Sequence, residues 1–548
     1  MKNLQAQRPP SGFALVLVLV AIGICFLLLA GVLLWSSNSG QASLRHSEHY
    51  ATLAAAEAAT EKIVAQISDD FRTGGRTEVD NNLASYADKV PSAVEHAAWN
   101  NYEFVDDAGT PGRAYVAVAT NWHAGPVNWQ GGGLIGQSTT YRVVATARSR
   151  TASALSAAVL QDLEMAAVPL ASFFMFAQPD LELSPGSGDW QINGPVHGNS
   201  SLYFSPNVSM TFADQVTAAD QIVHHRSPED SSGGGGGSIS YLGVRQAEAG
   251  KFKLSVPGLP TLATNLWTFC RAQADLRITI LSNTNLAATK KDGVSLSSWA
   301  IGVCSNYFLS TDPFNPTRAA STFVDKRECD VVITNSVIAT VFDVGQFQTH
   351  APSLGISPTP TSVYLEDSRP TTATTRFYAI KMVNARTLTA PFTLATPQPL
   401  YVQGSFNTNA QPAGLIADAV TVLSQEWDDA DSALNLASRP ATTTTINAAI
   451  ITGNVPSQGG SYSGGFENLT RLLESWSGMA LRFNGSLLLL FHSQIATEPW
   501  GMGDVYSPPN RIFRFAGQIG AGAPIVSNLQ AEILVRSAWR TVPPGATE

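Results

Sequence analysis

FALVLVLVAIGICFLLLAGVLLW, residues 13–35 (Phe13–Trp35), is the stretch that decides how this chain is organised. It contains no charged residue, and at about 1.5 Å per residue a helix of this length spans roughly 35 Å, enough to cross the core of a bilayer. The residues before it, MKNLQAQRPPSG, carry Lys2 and Arg8 and no acid. The positive-inside rule therefore predicts a cytoplasmic N-terminus and places Trp35 at the outer interface. We expect a single-pass anchor with the rest of the chain on the far side of the membrane.

The helical pattern continues beyond this apolar stretch. No proline occurs between Ser11 and Lys89, and apolar residues recur at three- and four-residue steps as far as Phe71, which is typical of an amphipathic helix. Gly74 and Gly75 predict its end. Secretory signal peptides have a shorter apolar core followed by a cleavage site. The sequence thus predicts one transmembrane and amphipathic helix within residues 13–74.

The junction Gly12–Phe13 closes a short basic leader, residues 1–12, and opens the long apolar helix. This arrangement resembles a type III (prepilin) signal, and ATLAAAEAATEKI (Ala51–Ile63) resembles the Ala-Glu-Ala stretch of PilX-like minor pilins. The resemblance implies that a prepilin peptidase cuts after Gly12 and that the new N-terminus, Phe13, is methylated. It also implies a bacterial protein whose helix packs with other pilin-like subunits.

Leu17 departs from the pattern of the major pilins, which carry glutamate at the fifth residue of the mature chain. A carboxylate inside lipid is costly and is retained for pairing. PilX-like minor pilins and the K-type pseudopilin of type II secretion also lack this acid. Leu17 therefore argues against a bulk filament subunit and for a minor or tip subunit. An uncleaved signal anchor is the alternative.

The exported region is predicted to be mainly β, so the fold class is α+β. Residues 141–165 read as two strands around the polar turn Arg150–Ser153, the hairpin expected of a pilin-like head. Farther on, short apolar pieces separated by Gly and Asn, such as QINGPVHGNSSLYF (Gln191–Phe204) and TINAAIITGNV (Thr445–Val455), favour a β-solenoid, with a sandwich as the rival. We expect a pilin-like head at 75–167, a first β-rich part at 168–225, an insertion or separate lobe at 226–395, and a second β-rich part at 396–548.

Two helices are expected inside these β-rich regions. Leu259–Ile278 has a mixed pattern that contains one, and in Tyr462–Trp476 the residues Leu469, Leu472, Leu473 and Trp476 fall on one helical face. The stretch from Pro399 to Ile512 resembles large uncharacterised PilX-like exported proteins, a resemblance that implies no particular activity.

The composition and the absence of certain motifs argue against several classes of function. Charged residues make up 14% of the chain, against about 25% in typical soluble domains, and the net charge of -9 provides no general basic field for nucleic acid. Cys270, Cys304 and Cys329 lie in the exported region without a CxxC pair. They allow either one disulfide and one free thiol or three buried thiols. Gly131–Gly136 fits the dinucleotide pattern GxGxxG, but a strand pattern follows it where a helix is needed, and no catalytic motif is present. We therefore expect no cofactor and a protein that is not an enzyme, with the C-terminal β-rich region left open.

Asp428, Asp429 and Asp431 in EWDDADS are the weak metal candidates. Calcium accepts such clusters of oxygens, but the spacing of an EF-hand is missing, so a polar turn after a strand is the favoured interpretation. Paired carboxylates of a solenoid glycosidase or lyase are a third interpretation.

These observations predict a minor pilin or pseudopilin-like structural subunit of a type IV pilus or a type II secretion-like filament. It would sit in the bacterial inner membrane with its head periplasmic or at the cell surface. Its partners would be the lipid bilayer, prepilin peptidase and other pilin-like subunits. The alternatives are a membrane-anchored carbohydrate-binding protein or polysaccharide-acting enzyme, and a structural exoprotein without a pilus partner.

Overall fold

A computed structural model gives the arrangement of the chain. Everything below refers to the residues that it describes: 11–127, 134–150, 154–186, 188–233, 235–242, 247–251, 253–254, 256, 263–281, 285–310, 321–329, 336–460, 462–463, 465–500 and 504–548, with backbone alone for 11–13, 263–265 and 309–310. The chain divides into two compact units. Unit 1 comprises Met1–His123, Ser138–Met165 and Leu534–Glu548, and unit 2 comprises Ala124–Gln137 and Ala166–Ile533.

The α-helices of the described residues are α1 (Ser11–Tyr86), α2 (Ala263–Gln273), α3 (Ser298–Ser305), α4 (Val344–His350) and α5 (Gly517–Ala521). The strands up to α2 are β1 (Tyr102–Val105), β2 (Tyr115–Pro126), β3 (Ile135–Ser149), β4 (Ser156–Pro169), β5 (Met175–Ala177), β6 (Leu181–Leu183), β7 (Asp189–Ile192), β8 (Val196–Gly198), β9 (Leu202–Phe204), β10 (Ser209–Phe212), β11 (Val216–Ala218), β12 (Ile222–Val223) and β13 (Ser238–Tyr241). The later strands are β14 (Leu276–Ile280), β15 (Leu286–Lys290), β16 (Phe308–Ser310), β17 (Ser321–Phe323), β18 (Ser336–Asp343), β19 (Ser362–Asp367), β20 (Thr375–Val383), β21 (Phe392–Thr396), β22 (Leu400–Gln403), β23 (Ala413–Ala417), β24 (Val420–Leu423), β25 (Thr444–Asn454), β26 (Thr470–Leu472), β27 (Ala480–His492), β28 (Asn510–Phe515) and β29 (Gln530–Val542).

Helix α1 carries an apolar stripe over its second half, as the sequence predicts. Ala56, Ala59, Ile63 and Ile67 are fully buried, and they pack in one core with apolar residues of the strands of unit 1. Their spacing of three, four and seven residues places them on the same face of the helix. This half of α1 is therefore held by the protein itself.

Gly75 interrupts α1 where the sequence predicts the helix to end. Its backbone is left-handed (φ 63°, ψ -154°), a conformation that costs glycine little. The helix resumes and continues to Tyr86, whose hydroxyl donates a hydrogen bond to Asp70 Oδ2 at 2.7 Å. Asn82 Nδ2 donates to the same oxygen at 2.9 Å, so polar side chains fasten the second helical piece to the first. The helix is longer than predicted because these contacts and the buried Val79 extend its packing past the glycine.

The sheet of unit 1 runs in the order β1–β3–β4–β29, and β2 also pairs with β3. Strands β3 and β4 are neighbours, as the sequence predicts for 141–165; part of the predicted turn, residues 151–153, lies outside the described residues. The last strand, β29, comes from the C-terminal end, which the sequence analysis placed in the second β-rich part. Strand β29 is part of this sheet because it pairs with β4. In addition, Arg536 Nη1 of β29 pairs with Glu61 Oε1 of α1 at 2.7 Å.

Unit 2 is built mainly from parallel strands. From β18 to β27, successive strands alternate between a seven-stranded sheet, β16–β18–β20–β22–β24–β26 with β17 beside β18, and an eleven-stranded sheet, β11–β8–β5–β27–β25–β23–β21–β19–β14–β15 with β28 beside β27. Strands β6, β9 and β12 form one small sheet, and β7, β10 and β13 form another. Residues 336–395, which the sequence analysis assigned to an insertion or lobe, thus supply strands to the same two sheets as the second β-rich part.

One row of buried apolar side chains crosses the eleven-stranded sheet. Each member pairs in parallel register with the next, and all belong to one core. The row is Leu276, Val363, Leu394, Leu415, Ile450, Leu487, Met175, Val196 and Val216. Because like residues stack on like residues at every step, this row gives the sheet a continuous hydrophobic face.

Of the two helices predicted within unit 2, one is present and the other is not. Helix α2 lies inside Leu259–Ile278 and confirms the first. The second prediction, a helix over Tyr462–Trp476, is wrong: Phe466–Asn468 forms one 3-10 turn and Thr470–Leu472 is the strand β26. Leu472 and Leu473 are both buried although they are adjacent, so this segment is covered on both faces and its leucines mimic helical spacing.

The three cysteines of the exported region are all free and buried. The second of the two alternatives left open by the sequence, three buried thiols, is therefore the observed one. Burial raises the pKa of the Cys304 thiol to about 12, which keeps it protonated and unreactive.

The buried carboxyl group of Glu474 should make the stability of unit 2 depend on pH. Its side chain is 1% exposed, and Ser424 donates to it twice, from N to Oε2 and from Oγ to Oε1, each at 2.6 Å. Burial raises the pKa of Glu474 to about 7, from 4.5. A raised folded-state pKa means that the stability from this group is complete below the unfolded pKa and is lost as the pH rises through 7. We expect the free energy of unfolding to fall by up to about 3 kcal/mol between pH 4.5 and pH 8, measured by urea denaturation.

Glu474→Gln should flatten this pH dependence, since an amide can accept from Ser424 N and donate to Ser424 Oγ without titrating. Burial also raises the pKa of Glu182 to about 7, so part of the slope should remain. Glu426→Gln, at an exposed position nearby in the chain, is the control and should keep the wild-type slope. An unchanged slope in Glu474→Gln would contradict the assignment.

Candidate functional site

The first half of α1 presents an apolar surface that the described protein leaves uncovered. Leu17 is 57% exposed and Trp35 is 73% exposed. By length and composition, this helix is long and apolar enough to cross a membrane. Gly12 and Phe13, the predicted processing junction, lie at the start of α1; residues 1–10 of the predicted leader lie outside the described residues. An exposed apolar surface of this extent is typical of a segment that contacts lipid or other apolar helices.

The three aspartates singled out by sequence lie in one turn but do not converge. Asp428 accepts a hydrogen bond from Ala430 N at 2.9 Å. Asp429 accepts from Lys381 Nζ and Trp427 Nε1 through Oδ1, each at 2.8 Å, and from Ser321 Oγ through Oδ2 at 2.6 Å. Asp431 is half-buried in the same turn. Within the described ranges, no group of three or more His, Cys, Asp or Glu side chains is arranged to hold a metal ion.

A cleft of about 270 Å³ opens in unit 2, and we call it the Glu467 cleft. Ser184, Glu467 and Asn468 are among its lining residues, and we call these three its floor. The floor is positioned by the 3-10 turn at Phe466–Asn468, because Phe466 is fully buried and packs edge-on against Phe174 at 6.0 Å between ring centroids. The buried phenylalanine fixes the backbone, so the next two side chains line the cleft.

Glu467 is the acidic residue in the floor and is 6% exposed. Its Oε1 accepts a hydrogen bond from Ser184 N at 3.2 Å. Its Oε2 is buried and has no hydrogen-bond partner of normal geometry among the described residues, although the Tyr462 hydroxyl lies close enough to interact with the carboxyl group. Burial raises the pKa of Glu467, which favours its uncharged form.

Three aromatic rings form the wall of the cleft. Trp500 lies between Tyr462, at 6.3 Å between ring centroids and 81°, and Tyr506, at 6.0 Å and 47°. Tyr506 also donates from its hydroxyl to Asn468 Oδ1 at 3.1 Å. The wall is therefore tied to the floor, and it offers flat apolar faces next to hydrogen-bonding groups.

Two arginines complete the lining. Arg226 is compensated by Asp230, with 2.6 Å between Nη1 and Oδ2. Arg511 donates from Nη2 to Glu467 O at 3.2 Å and to Tyr506 Oη at 3.4 Å, and its buried Nε has no hydrogen-bond partner within the described ranges. No described carboxylate forms an ion pair with Arg511. Arg511 is thus a partly buried cation in the cleft lining that forms no ion pair among the described residues, although its charge lowers the pKa of Glu467 against the effect of burial.

Sequence reasoning did not find this cleft. Its residues come from three distant segments, around Ser184, around Glu467 and from Trp500 to Arg511, and none of these segments carries a motif. The one local signal was the pair of glycines before FEN (Phe466–Asn468), which the interpretation of the region as a helix obscured.

Comparisons with known proteins add little to this description. No family model matches the chain, and no curated protein matches it. Among solved structures, the crystal structure of the competence-associated pilin ComZ from Thermus thermophilus is similar over 90% of this chain and 97% of that chain, with 10% identical residues and a TM-score of 0.29. At that TM-score the likeness carries no argument about function.

Proposed function

We propose that this chain is a membrane-anchored, pilin-like structural subunit. The observation that supports the proposal most directly is the division of α1 into two halves. The first half is apolar and exposed on all sides, whereas the second half is packed into the core of unit 1. A helix of this kind can lie in the inner membrane and later pack with helices of other subunits without rearrangement of the head.

The proposed role is that of a minor pilin or pseudopilin in a type IV pilus or type II secretion-like filament. Leu17 stands where a bulk subunit needs an acid, so the subunit would be used in low copy number or at a tip. The N-terminus would be cytoplasmic, and the head would be periplasmic or at the cell surface. Prepilin peptidase, the lipid bilayer and other pilin-like subunits would be its partners.

Within the head, we infer that unit 2 is a β-solenoid. Two features support this inference: successive strands alternate between sheets, and each strand stacks in parallel on an equivalent one. Met175 pairs with Val196 and Val196 with Val216, so the step from coil to coil is 21 and then 20 residues. A sandwich would be built from antiparallel strands.

Processing of the leader tests the pilin proposal. Co-expression of the full chain with a prepilin peptidase is expected to give a mature protein that begins at Phe13 with a methylated amine, because Gly12 ends the basic leader. Intact-mass and peptide mass spectrometry of the membrane-extracted protein measures the new N-terminus.

Gly12→Val is the matched variant and should remain uncleaved, since the peptidase needs a small residue before the cut. Expression without the peptidase should leave Met1 in place. A cut at another position, or an intact leader in the presence of active peptidase, would contradict the pilin route and favour a plain signal anchor.

We further propose that the head binds a ligand rather than cleaves one, which makes the carbohydrate-binding alternative the second candidate function. The aromatic wall and polar floor of the Glu467 cleft favour it. Most glycoside hydrolases use two carboxyl groups on either side of the bond, and among the described residues Glu467 is the acid that lines the cleft. No cofactor is needed for this role.

A further inference from the structure

The Glu467 cleft combines surfaces that few ligands can satisfy together. Trp500 and Tyr506 offer flat apolar faces, while Asn468 and Glu467 offer hydrogen-bonding groups in the same lining. A pyranose ring has this same division, with C–H groups on its faces and hydroxyl groups at its edge. Glu467 is more than nine-tenths buried, and its Oε2 is shut off from the cleft, so a ligand hydroxyl would meet this side chain only where the cleft exposes it.

The charged residues of the cleft favour a sugar that carries a carboxylate over a neutral sugar. Arg226 is already compensated by Asp230 at 2.6 Å. Arg511 forms no ion pair among the described residues, although its charge lowers the pKa of Glu467 against the effect of burial. Arginine binds a carboxylate through two parallel N–H groups, which makes a carboxylate the anion that fits it best.

The size of the cleft limits the ligand to one ring. A volume of about 270 Å³ corresponds to the space of about nine liquid water molecules. One substituted pyranose fills such a space, whereas a longer oligomer would have to extend outside it.

Building on the proposed ligand-binding function, we propose that the Glu467 cleft binds one carboxylated sugar, a uronic acid unit. Its carboxylate pairs with Arg511, its ring lies against Trp500 and Tyr506, and its hydroxyl groups bond to Asn468 and Glu467. The unit can be a free monosaccharide or part of an acidic polysaccharide.

Binding to the full chain tests this assignment, with the protein in a detergent that has no sugar headgroup. Isothermal titration with sodium D-glucuronate is expected to show saturable binding. D-glucose and the methyl ester of D-glucuronate should bind at least about tenfold more weakly, because each lacks the charge-assisted pair. Sodium acetate should also bind weakly, since it has the carboxylate but no ring. These comparisons use the wild-type protein, so they do not depend on the folding of any variant.

Variants then locate the site. Arg511→Gln should weaken D-glucuronate binding at least about tenfold and should weaken D-glucose binding by a smaller factor, and Arg511→Lys should recover part of the loss. Trp500→Ala should weaken both sugars. Arg514→Gln is the matched control, because Arg514 lies on the same strand, β28, but is exposed and outside the cleft lining. Thermal unfolding of each variant separates loss of binding from loss of folding.

The outcomes are distinct. Equal affinity for glucose and glucuronate, equal affinity for acetate and glucuronate, no saturable binding, or an Arg511→Gln variant that is folded and binds normally would each overturn the proposal. Tetragalacturonate compared with D-galacturonate separates the two sources: tighter binding of the oligomer indicates a polysaccharide, equal binding indicates a free sugar, and either supports the class. Failure here leaves the processing result at Gly12–Phe13 unaffected, so the two proposals fail independently.

Discussion

Replacement of Arg471 by methionine is expected to lower the free energy of unfolding of unit 2 by about 3–5 kcal/mol, because it leaves a buried carboxylate without its counter-ion. Arg471 Nη1 lies 2.5 Å from Glu328 Oε1. Arg471 is 4% exposed and Glu328 is 3% exposed, so water cannot replace the lost partner. Arg471 Nη2 also donates to Ala496 O at 2.7 Å, and that carbonyl would lose its donor as well.

Two features place the expected loss toward the lower end of that range. Arg376 Nη2 lies 3.6 Å from Glu328 Oε2 and would still offset part of the charge. Burial already raises the pKa of Glu328, so in the variant this carboxyl group can take up a proton instead of remaining charged. The variant should accordingly be less destabilised at pH 5 than at pH 8.

Urea denaturation followed by tryptophan fluorescence measures this change. Arg271→Met is the matched control, because Arg271 pairs with Glu366 at 2.7 Å while the two side chains are 47% and 32% exposed; it should cost less than about 1 kcal/mol. The double variant Arg471→Met with Glu328→Gln should recover part of the loss, since it removes the buried charge itself. Equal losses in Arg471→Met and Arg271→Met would show that Glu328 is not desolvated as described.

Local patterns in the sequence were sufficient to predict α1 and the β-rich character of the head. The apolar stretch Phe13–Trp35 and the stripe that includes Ile63 and Ile67 depend on residues a few positions apart, and such periodicity is visible in the sequence itself. The strand pair β3–β4 was visible for the same reason. The continuation of α1 past Gly75 was not, because it depends on the contact of Asp70 with Tyr86, sixteen residues later.

The order of strands in unit 2 has no local signal. Met175 pairs with Leu487 on one side and with Val196 on the other, so β5 lies inside the largest sheet of the unit, with β8 between it and the edge strand β11. Sequence periodicity can suggest strands, but it cannot show that β27, late in the chain, pairs with β5, which is early. The cleft was missed for a related reason, since Glu467 and Arg511 meet there only after this pairing.

The segment Tyr462–Trp476 shows how a short apolar run misleads. Its leucines satisfy the helical spacing, yet Leu472 and Leu473 are both buried because this stretch of chain is covered on both faces. A strand buried on both faces lacks the alternation of apolar and polar residues that identifies a half-exposed strand. Only tertiary packing decides between the two structures in such a case.

Removal of residues 1–41 is expected to transfer the protein completely from the membrane fraction to the soluble fraction and to leave unit 1 folded. The truncation removes the whole apolar stretch Phe13–Trp35, in which each Leu, Ile, Phe or Val favours the membrane by about 0.3–0.6 kcal/mol at the helix centre. It spares the core of unit 1, since the first fully buried side chain of α1 is Thr52. Carbonate washing of membranes measures the transfer, and circular dichroism with thermal unfolding measures the fold.

A matched variant of the full chain tests whether membrane attachment depends on residues 13–35 or on other exposed apolar side chains of α1. Leu44 and Tyr50 are large and exposed on α1, at 72% and 66%, but they lie beyond Trp35, so the double variant Leu44→Ser with Tyr50→Ser should stay in carbonate-washed membranes. If the truncated protein also stayed there, attachment would have to come from the head. If it became soluble but lost the thermal transition of unit 1, the first half of α1 would be needed for folding, and its separation into a membrane half and a packed half would be wrong. The expected pair of results, a soluble folded truncation and a retained double variant, would instead assign membrane attachment to residues 13–35 and packing of the head to the helix that begins near Thr52.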